Sequence, residues 1–222
     1  MDPKLKLKPI ELLDIGIDKL TKIPIPILND NVISTFNMDN GVPTDSFIFT
    51  FNCYTGATLS FMIVSNYQII LSIDYGDGTP VADIQISGAT QISHIYTSAY
   101  TYTITVSGWL EKITTLILNG DVGKAVITAY LNRLTKLSYL DISNNRLTGF
   151  NMDGMIYLNT IYLDSNYLTN DAIDDLYIEA DTFLTFNGNM STGGATNGKP
   201  SIYSNDAINS LYSKGWTLNY NT

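Results

Sequence analysis

The chain has 222 residues, 45% of them hydrophobic and 15% charged, with a formal net charge of −9. That hydrophobic content supports a packed core and argues against disorder, and the length allows one large or two ordinary domains. The acidic balance leaves no basic surface to neutralise phosphates, which excludes a general nucleic-acid role.

The first 44 residues read as an extended arm. Residues 1–22 hold five of the twelve basic side chains, Lys4, Lys6, Lys8, Lys19 and Lys22, so the rest of the chain is markedly acidic. Leu5 and Leu7 alternate with lysine before Pro9, Ile10 and Leu12, and a short helix is expected around Glu11–Leu20. Pro24 and Pro26 force Ile23, Ile25 and Ile27 into an extended backbone that cannot serve as a central strand. An apolar arm of this kind either packs on its own domains or anchors to a neighbouring subunit. Leu5, Leu7, Pro9, Ile10, Leu12, Ile23, Ile25 and Ile27 are the candidate anchoring residues. The N-terminus lacks the continuous apolar run and small-residue cleavage site of a signal peptide. No stretch reaches the roughly 18 apolar residues of a membrane span.

Residues 45–108 alternate without a helical period. Phe47, Phe49 and Phe51 share one face of SFIFTFN, and TLSFMIV, YQIILSIDY and TYTITVSG come next, separated by turns. This pattern predicts a compact β-sandwich. Cys53, the one cysteine, falls in an apolar alternating run and reads as a buried free thiol. Gly76 and Gly78 permit positive φ in a tight turn, and Asp74 and Asp77 can accept its backbone N–H groups. Two carboxylates fall short of the oxygen count of a calcium loop. His94 has no paired nucleophile, so no catalytic constellation is expected.

Residues 109–222 carry a repeat. Leu137, Leu140, Ile142, Asn145 and Leu147 recur 21 residues later as Leu158, Ile161, Leu163, Asn166 and Leu168, the pattern L-x-x-L-x-L-x-x-N-x-L. The leucines alternate inward from a short strand, and the asparagine satisfies backbone groups at the bend after it. Weaker copies are read at Ile113–Asp121, at Leu184, Phe186 and Asn189, and at Trp216, Leu218 and Asn221, with steps of 24, 21, 23 and 32 residues. About five coils are expected, with Trp109 covering the first. Helices are expected from Asn170, as N-cap, and over 204–214 before Gly215, with a flexible polar loop at 188–201. The outward strand positions form a candidate ligand face, Tyr139, Asp141, Tyr162, Asp164 and Asn187, suited to stacking on sugars or docking a protein.

These phrases carry resemblances. Ile73-Asp74-Tyr75-Gly76-Asp77-Gly78-Thr79, His94-Ile95-Tyr96 and Tyr100–Val106 resemble the PKD immunoglobulin-like domain, departing from it at Ile73 and at Ala99-Tyr100. The repeats resemble leucine-rich-repeat domains. Together the modules resemble surface proteins of Bacteroidales bacteria and structural proteins of the crAss-like phages that infect them. The fold implied is mainly β: an N-terminal arm (1–44), a PKD/Ig-like sandwich (45–108) and a leucine-rich-repeat solenoid with two short helices and a C-terminal cap (109–222). With Met1 opening the chain and no signal peptide, the resemblance implies a non-enzymatic virion protein made in the host cytoplasm. It would bind other virion proteins through its arm, with a host-surface or mucus glycan or protein as a further candidate ligand, and neither cofactor, metal, nucleic acid nor membrane. The absence of coiled-coil heptads favours an auxiliary capsid (decoration) protein over a tail fibre. A bacterial cell-surface adhesion or carbohydrate-binding module is the alternative.

Overall fold

The computed structural model describes residues 45–120 and 124–222, and the backbone of a small antiparallel hairpin, β1 (Met38–Asp39) and β2 (Val42–Pro43). Residues 1–44 form one unit and 45–222 a second. The candidate anchoring residues between Leu5 and Ile27 lie outside the described residues.

The second unit begins with β3 (Ser46–Cys53), where Phe47, Phe49, Phe51 and Cys53 are buried in strict alternation. A period of two puts every second side chain on one face, which is how this run of phenylalanines makes half a core. The long β4 (Thr58–Asp74) pairs antiparallel along its length with β5 (Ala82–Ile95). β6 (Tyr100–Gly108) runs antiparallel to β3 over its full length and reaches the end of β4 at Leu71–Asp74. The Phe49 and Phe61 rings, from β3 and β4, meet edge to face at 5.7 Å.

The chain then leaves β6 at Gly108, turns once through Leu110–Lys112, and lays β7 (Ile113–Ile117) against the first half of β4. Glycine is required at that corner. Its φ is +124° and a Cβ would stand 2.6 Å from the Ile70 carbonyl oxygen. β8 (Ala125–Tyr130) returns to pair with the free edge of β3. The repeat strands β9 (Tyr139–Asp141) and β10 (Thr160–Tyr162) add to β7 in parallel. Beyond them come α1 (Asn170–Asp181), β11 (Asn189–Ser191), α2 (Asn205–Ser213) and β12 (Thr217–Asn219). β11 and β12 extend the parallel run, so one sheet passes from β8 to β12 in the order β8-β3-β6-β4-β7-β9-β10-β11-β12. An antiparallel region therefore continues into leucine-rich-repeat-like parallel coils through shared hydrogen bonds. Trp109 packs against the core, and β4 itself pairs with the first coil at β7.

The inward residues Leu116, Leu140, Ile161, Met190 and Leu218 stand in register. The last two repeats differ from the expectation drawn from the sequence. Leu184 and Phe186, expected to face inward, are 66% and 65% exposed, and the strand forms at Asn189–Ser191 with Met190 buried. Helix α1 lengthens the return path of this coil, so the step from Ile161 is 29 residues rather than 23. The segment expected as a flexible loop thus holds a strand and the buried Asn197. The cap of α1 is Thr169, whose hydroxyl accepts the Ala172 N–H at 3.2 Å, not Asn170. Gly215 lies just past α2 with φ +81°, as expected of a helix-ending glycine.

Four asparagines stitch the coils, Asn221 by donating to the Gly194 and Asn197 carbonyls and the other three in one shared pattern. Asn145 donates its side-chain amide to the carbonyls of Leu118 in the preceding coil and of Ile142 and Ser143 in its own, and its Oδ1 accepts Val126 N–H. Asn166 repeats this with Ile142, Leu163 and Leu147, and Asn197 with Leu163, Thr192 and Leu168. Asn197, not Asn189, occupies the asparagine position of its coil.

Candidate functional site

In each coil the residues flanking the inward strand position point to the opposite, open face of the parallel sheet. Register places Thr115, Tyr139, Thr160, Asn189 and Thr217 in one row and Ile117, Asp141, Tyr162, Ser191 and Asn219 in the next. The Tyr139 and Tyr162 rings meet edge to face at 5.9 Å. Asp141 is held by Asn119, whose amide donates to Oδ2 at 2.9 Å, and by Ser143, whose N–H and hydroxyl donate to Oδ1 at 3.0 and 2.7 Å. Asp164 accepts the Ser191 hydroxyl, and Ser191 in turn accepts the Asn219 amide at 2.8 Å. Asn189 donates to the Tyr162 hydroxyl at 3.2 Å. Burial, then the neighbouring Asp141 carboxylate and Tyr162, push the Tyr139 phenol above its ordinary value, so it stays a neutral hydrogen-bonding group.

The result is two tyrosine rings set among fixed carboxylates, amides and hydroxyls, with no lysine or arginine in either row. Tyr139, Asp141, Tyr162 and Asp164 are brought together as the alternation implied. Asn187 is not. It lies outside the strand with φ +55°, donates its N–H to the Lys214 carbonyl and sits beside Gly215. Asn189 and Ser191 instead hold the outward strand places of this coil. The alternation Asn189-Met190-Ser191-Thr192 was the available signal, hidden because its inward residues are methionine and threonine rather than leucine.

A second polar cluster lies in the antiparallel region. Asp74 and Asp77 accept the Gly76 and Thr79 N–H groups at 2.8 and 3.0 Å, so both carboxylates hold the turn. Asp77 also meets His94 Nε2 at 2.7 Å. Burial would raise the Asp77 carboxyl, but hydrogen bonds from Thr79 and His94 prevail and hold it at about 2. His94 stacks on Tyr75 at 4.0 Å, and Tyr96, whose phenol burial pushes well up, donates its hydroxyl to the Tyr75 carbonyl at 3.0 Å. Gly76 is obligatory here because a Cβ would lie 2.3 Å from the Thr103 carbonyl oxygen. The cluster pairs charge and pins a turn. It presents no nucleophile beside the imidazole. Among the described residues no three of His, Cys, Asp and Glu converge in a manner that could hold a metal ion. Among the same residues, no helix is long and apolar enough to cross a membrane.

No protein-family model matches the sequence, and no curated protein matches it. Among solved structures, an internalin (InlF) from Listeria monocytogenes is similar over 50% of this chain and 28% of its own, at 21% identity and a TM-score of 0.37. The chain thus corresponds to less than a third of that internalin's length. The class of protein is defined by the strand pairing itself: leucine-rich-repeat-like parallel coils continuing an antiparallel β region.

Proposed function

We propose that this protein is a non-enzymatic display and recognition module, specifically an auxiliary capsid (decoration) protein of a bacteriophage. Its lysine-rich N-terminal segment tethers it to another virion protein, and the coils present their open face as the recognition surface. The observation that carries the recognition role is the open face itself. Its side chains are pre-ordered by hydrogen bonds that involve all five coils, so little rotamer entropy remains to be lost on binding. The PKD-like phrases and the repeats support placement among exterior virion modules. The carboxylates of the Asp74/Asp77 turn are engaged in structure, which agrees with a non-catalytic role.

Immunogold labelling of purified phage particles and of intact host cells tests the assignment. Label on the particles is the expected result, and a chain lacking residues 1–30 should keep its circular dichroism but no longer associate with them. Label confined to the bacterial surface would replace this reading with the alternative, a bacterial adhesion or carbohydrate-binding module. Tyr139 and Tyr162 favour that second reading, since aromatic rings beside fixed Asp and Asn groups suit sugars. Loss of glycan capture in Tyr162→Ala would support it.

A further inference from the structure

The described residues contain three Asn-Gly steps: Asn119-Gly120, Asn187-Gly188 and Asn197-Gly198. Such a step has its own chemistry. Once base removes the glycine N–H proton, that nitrogen attacks the asparagine side-chain carbon Cγ. The N–Cγ bond forms, the Cγ–Nδ2 bond breaks and ammonia leaves, giving a succinimide. Water then opens the ring to aspartate or to isoaspartate, in which the main chain runs through the former side chain and gains a methylene. No oxidant or enzyme is needed. A fold suppresses the reaction by holding the glycine N–H in a hydrogen bond and the asparagine amide in place.

Two of the three steps are held in that way. Gly120 donates to the Ser143 carbonyl at 3.0 Å while the Asn119 amide is bound to Asp141 at 2.9 Å. Gly198 donates to the Leu168 carbonyl at 2.7 Å, and the buried Asn197 amide donates to three carbonyls and accepts the Leu168 N–H. The third differs on each count. The Gly188 N–H makes no hydrogen bond to a described residue, nor does the Asn187 side chain, which is exposed. Asn187 also has φ +55°, in the left-handed region that asparagine tolerates better than most residues. We infer that Asn187-Gly188 is a spontaneous deamidation and isoaspartate site of the folded protein, while Asn119 and Asn197 are protected.

Its position gives the modification a structural consequence. Asn187 N–H bonds the Lys214 carbonyl at 2.9 Å, the Gly188 carbonyl accepts Thr217 N–H at 2.8 Å, and a Cβ on Gly188 would stand 2.6 Å from the Trp216 ring. These contacts dock α2 and β12 onto β11. A methylene inserted between Asn187 and Gly188 displaces them together, so isoaspartate at 187 loosens the last coil and the Thr217 and Asn219 positions it carries.

The experiment ages the full chain at mildly alkaline pH, folded and in denaturant, and maps peptides by mass spectrometry with isoaspartyl-specific enzymatic methylation. In denaturant all three steps should convert at comparable rates, since each is Asn-Gly. In the folded chain Asn187 should stay within a few-fold of its denatured rate, while Asn119 and Asn197 fall at least about tenfold below theirs, the effect of one retained hydrogen bond. Protection of Asn187 equal to the other two would overturn the assignment, as would conversion of Asn119 or Asn197 in the folded chain at their denatured rates. Asn187→Gly keeps the left-handed backbone and cannot cyclise. Aged wild type should lose protection from proteolysis around Trp216 while the aged variant keeps it. Equal loss in both would refute the structural consequence.

Discussion

The antiparallel region and the repeat coils solve the same problem in opposite ways. Between residues 45 and 120 the buried polar side chains are Ser65 and Ser107, and the interior is filled by phenylalanine, tyrosine and branched aliphatics. From residue 124 onward Ser143, Asn145, Asn166, Asp174, Ser191, Thr192, Asn197 and Ser204 are buried. Long antiparallel partners satisfy one another's backbone, so the interior between them can be dry. A coil turns away after three residues of strand, and its corner leaves N–H and C=O groups that only a side-chain amide can reach. The difference teaches where each region is vulnerable: volume in one, hydrogen-bond inventory in the other.

Single substitutions sharpen that contrast. Phe49→Ala removes a fully buried ring and should cost about 3–5 kcal/mol in urea unfolding, with Phe49→Leu recovering much of it. Asn166→Ala strands the Leu147 N–H and takes one of two amide donors from each of the Ile142 and Leu163 carbonyls, which Asn145 and Asn197 still reach, and should cost about 2–3 kcal/mol. Here Asn166→Leu should do no better, because volume is not what is missing. Equal rescue by leucine at both positions would break the comparison.

One carboxyl in each region should respond oppositely to pH. In the antiparallel region the Asp77 carboxyl is held at about 2, below its ordinary value, so the native state favours its charged form. That stability is fully present above the ordinary carboxylate range and is lost as pH falls through 2. Asp77→Asn should flatten the acid limb of a melting-temperature profile between about pH 4 and 2. In the coils Glu179 behaves the other way. Burial, the dominant influence, and the nearby Asp153 and Asp175 carboxylates push it up to about 7, against a hydrogen bond from the Met152 N–H, and its Oε1 is buried without a partner among described residues. Its contribution is complete below the ordinary carboxylate range and drains as pH rises through 7. Glu179→Gln should therefore raise the melting temperature modestly at pH 8 and leave it nearly unchanged at pH 4. A variant that destabilises equally at both would show that the carboxyl is needed in its charged form.

How much of the structure was legible in the sequence obeys the same division. Phe47, Phe49 and Phe51 declare their strand because alternation alone decides which face is buried, and Leu140, Ile142 and Asn145 declare their coil because the 21-residue copy repeats every chemical type. Tyr139, Asp141 and Tyr162 flank the inward residues of their strands, and Asp164 lies just beyond β10. Leu184-Thr185-Phe186 imitates the same alternation yet forms no strand, because a strand also needs a main-chain partner in register, and α1 shifts that register to Asn189–Ser191. β8 was equally hidden. AVITAY reads as any apolar segment until the free edge of β3 is there to receive it. Asn187 was misplaced for the first reason, and Asn197 was overlooked because no leucine pattern leads up to it.

The asparagine ladder also has a direction. Asn145, Asn166 and Asn197 each donate backwards, to Leu118, Ile142 and Leu163, and each accepts backwards, from Val126, Leu147 and Leu168. The side-chain half of a corner needs the predecessor in place, while its main-chain N–H groups, as at Leu118, Gly120, Ile142 and Asn144, await the carbonyls of the next coil. On a ribosome the predecessor always emerges first, with β4 and β7 laid down before any of them. Each corner is thus closed from both sides, its amide reaching back to a coil already translated and its main chain reaching forward to the one that follows.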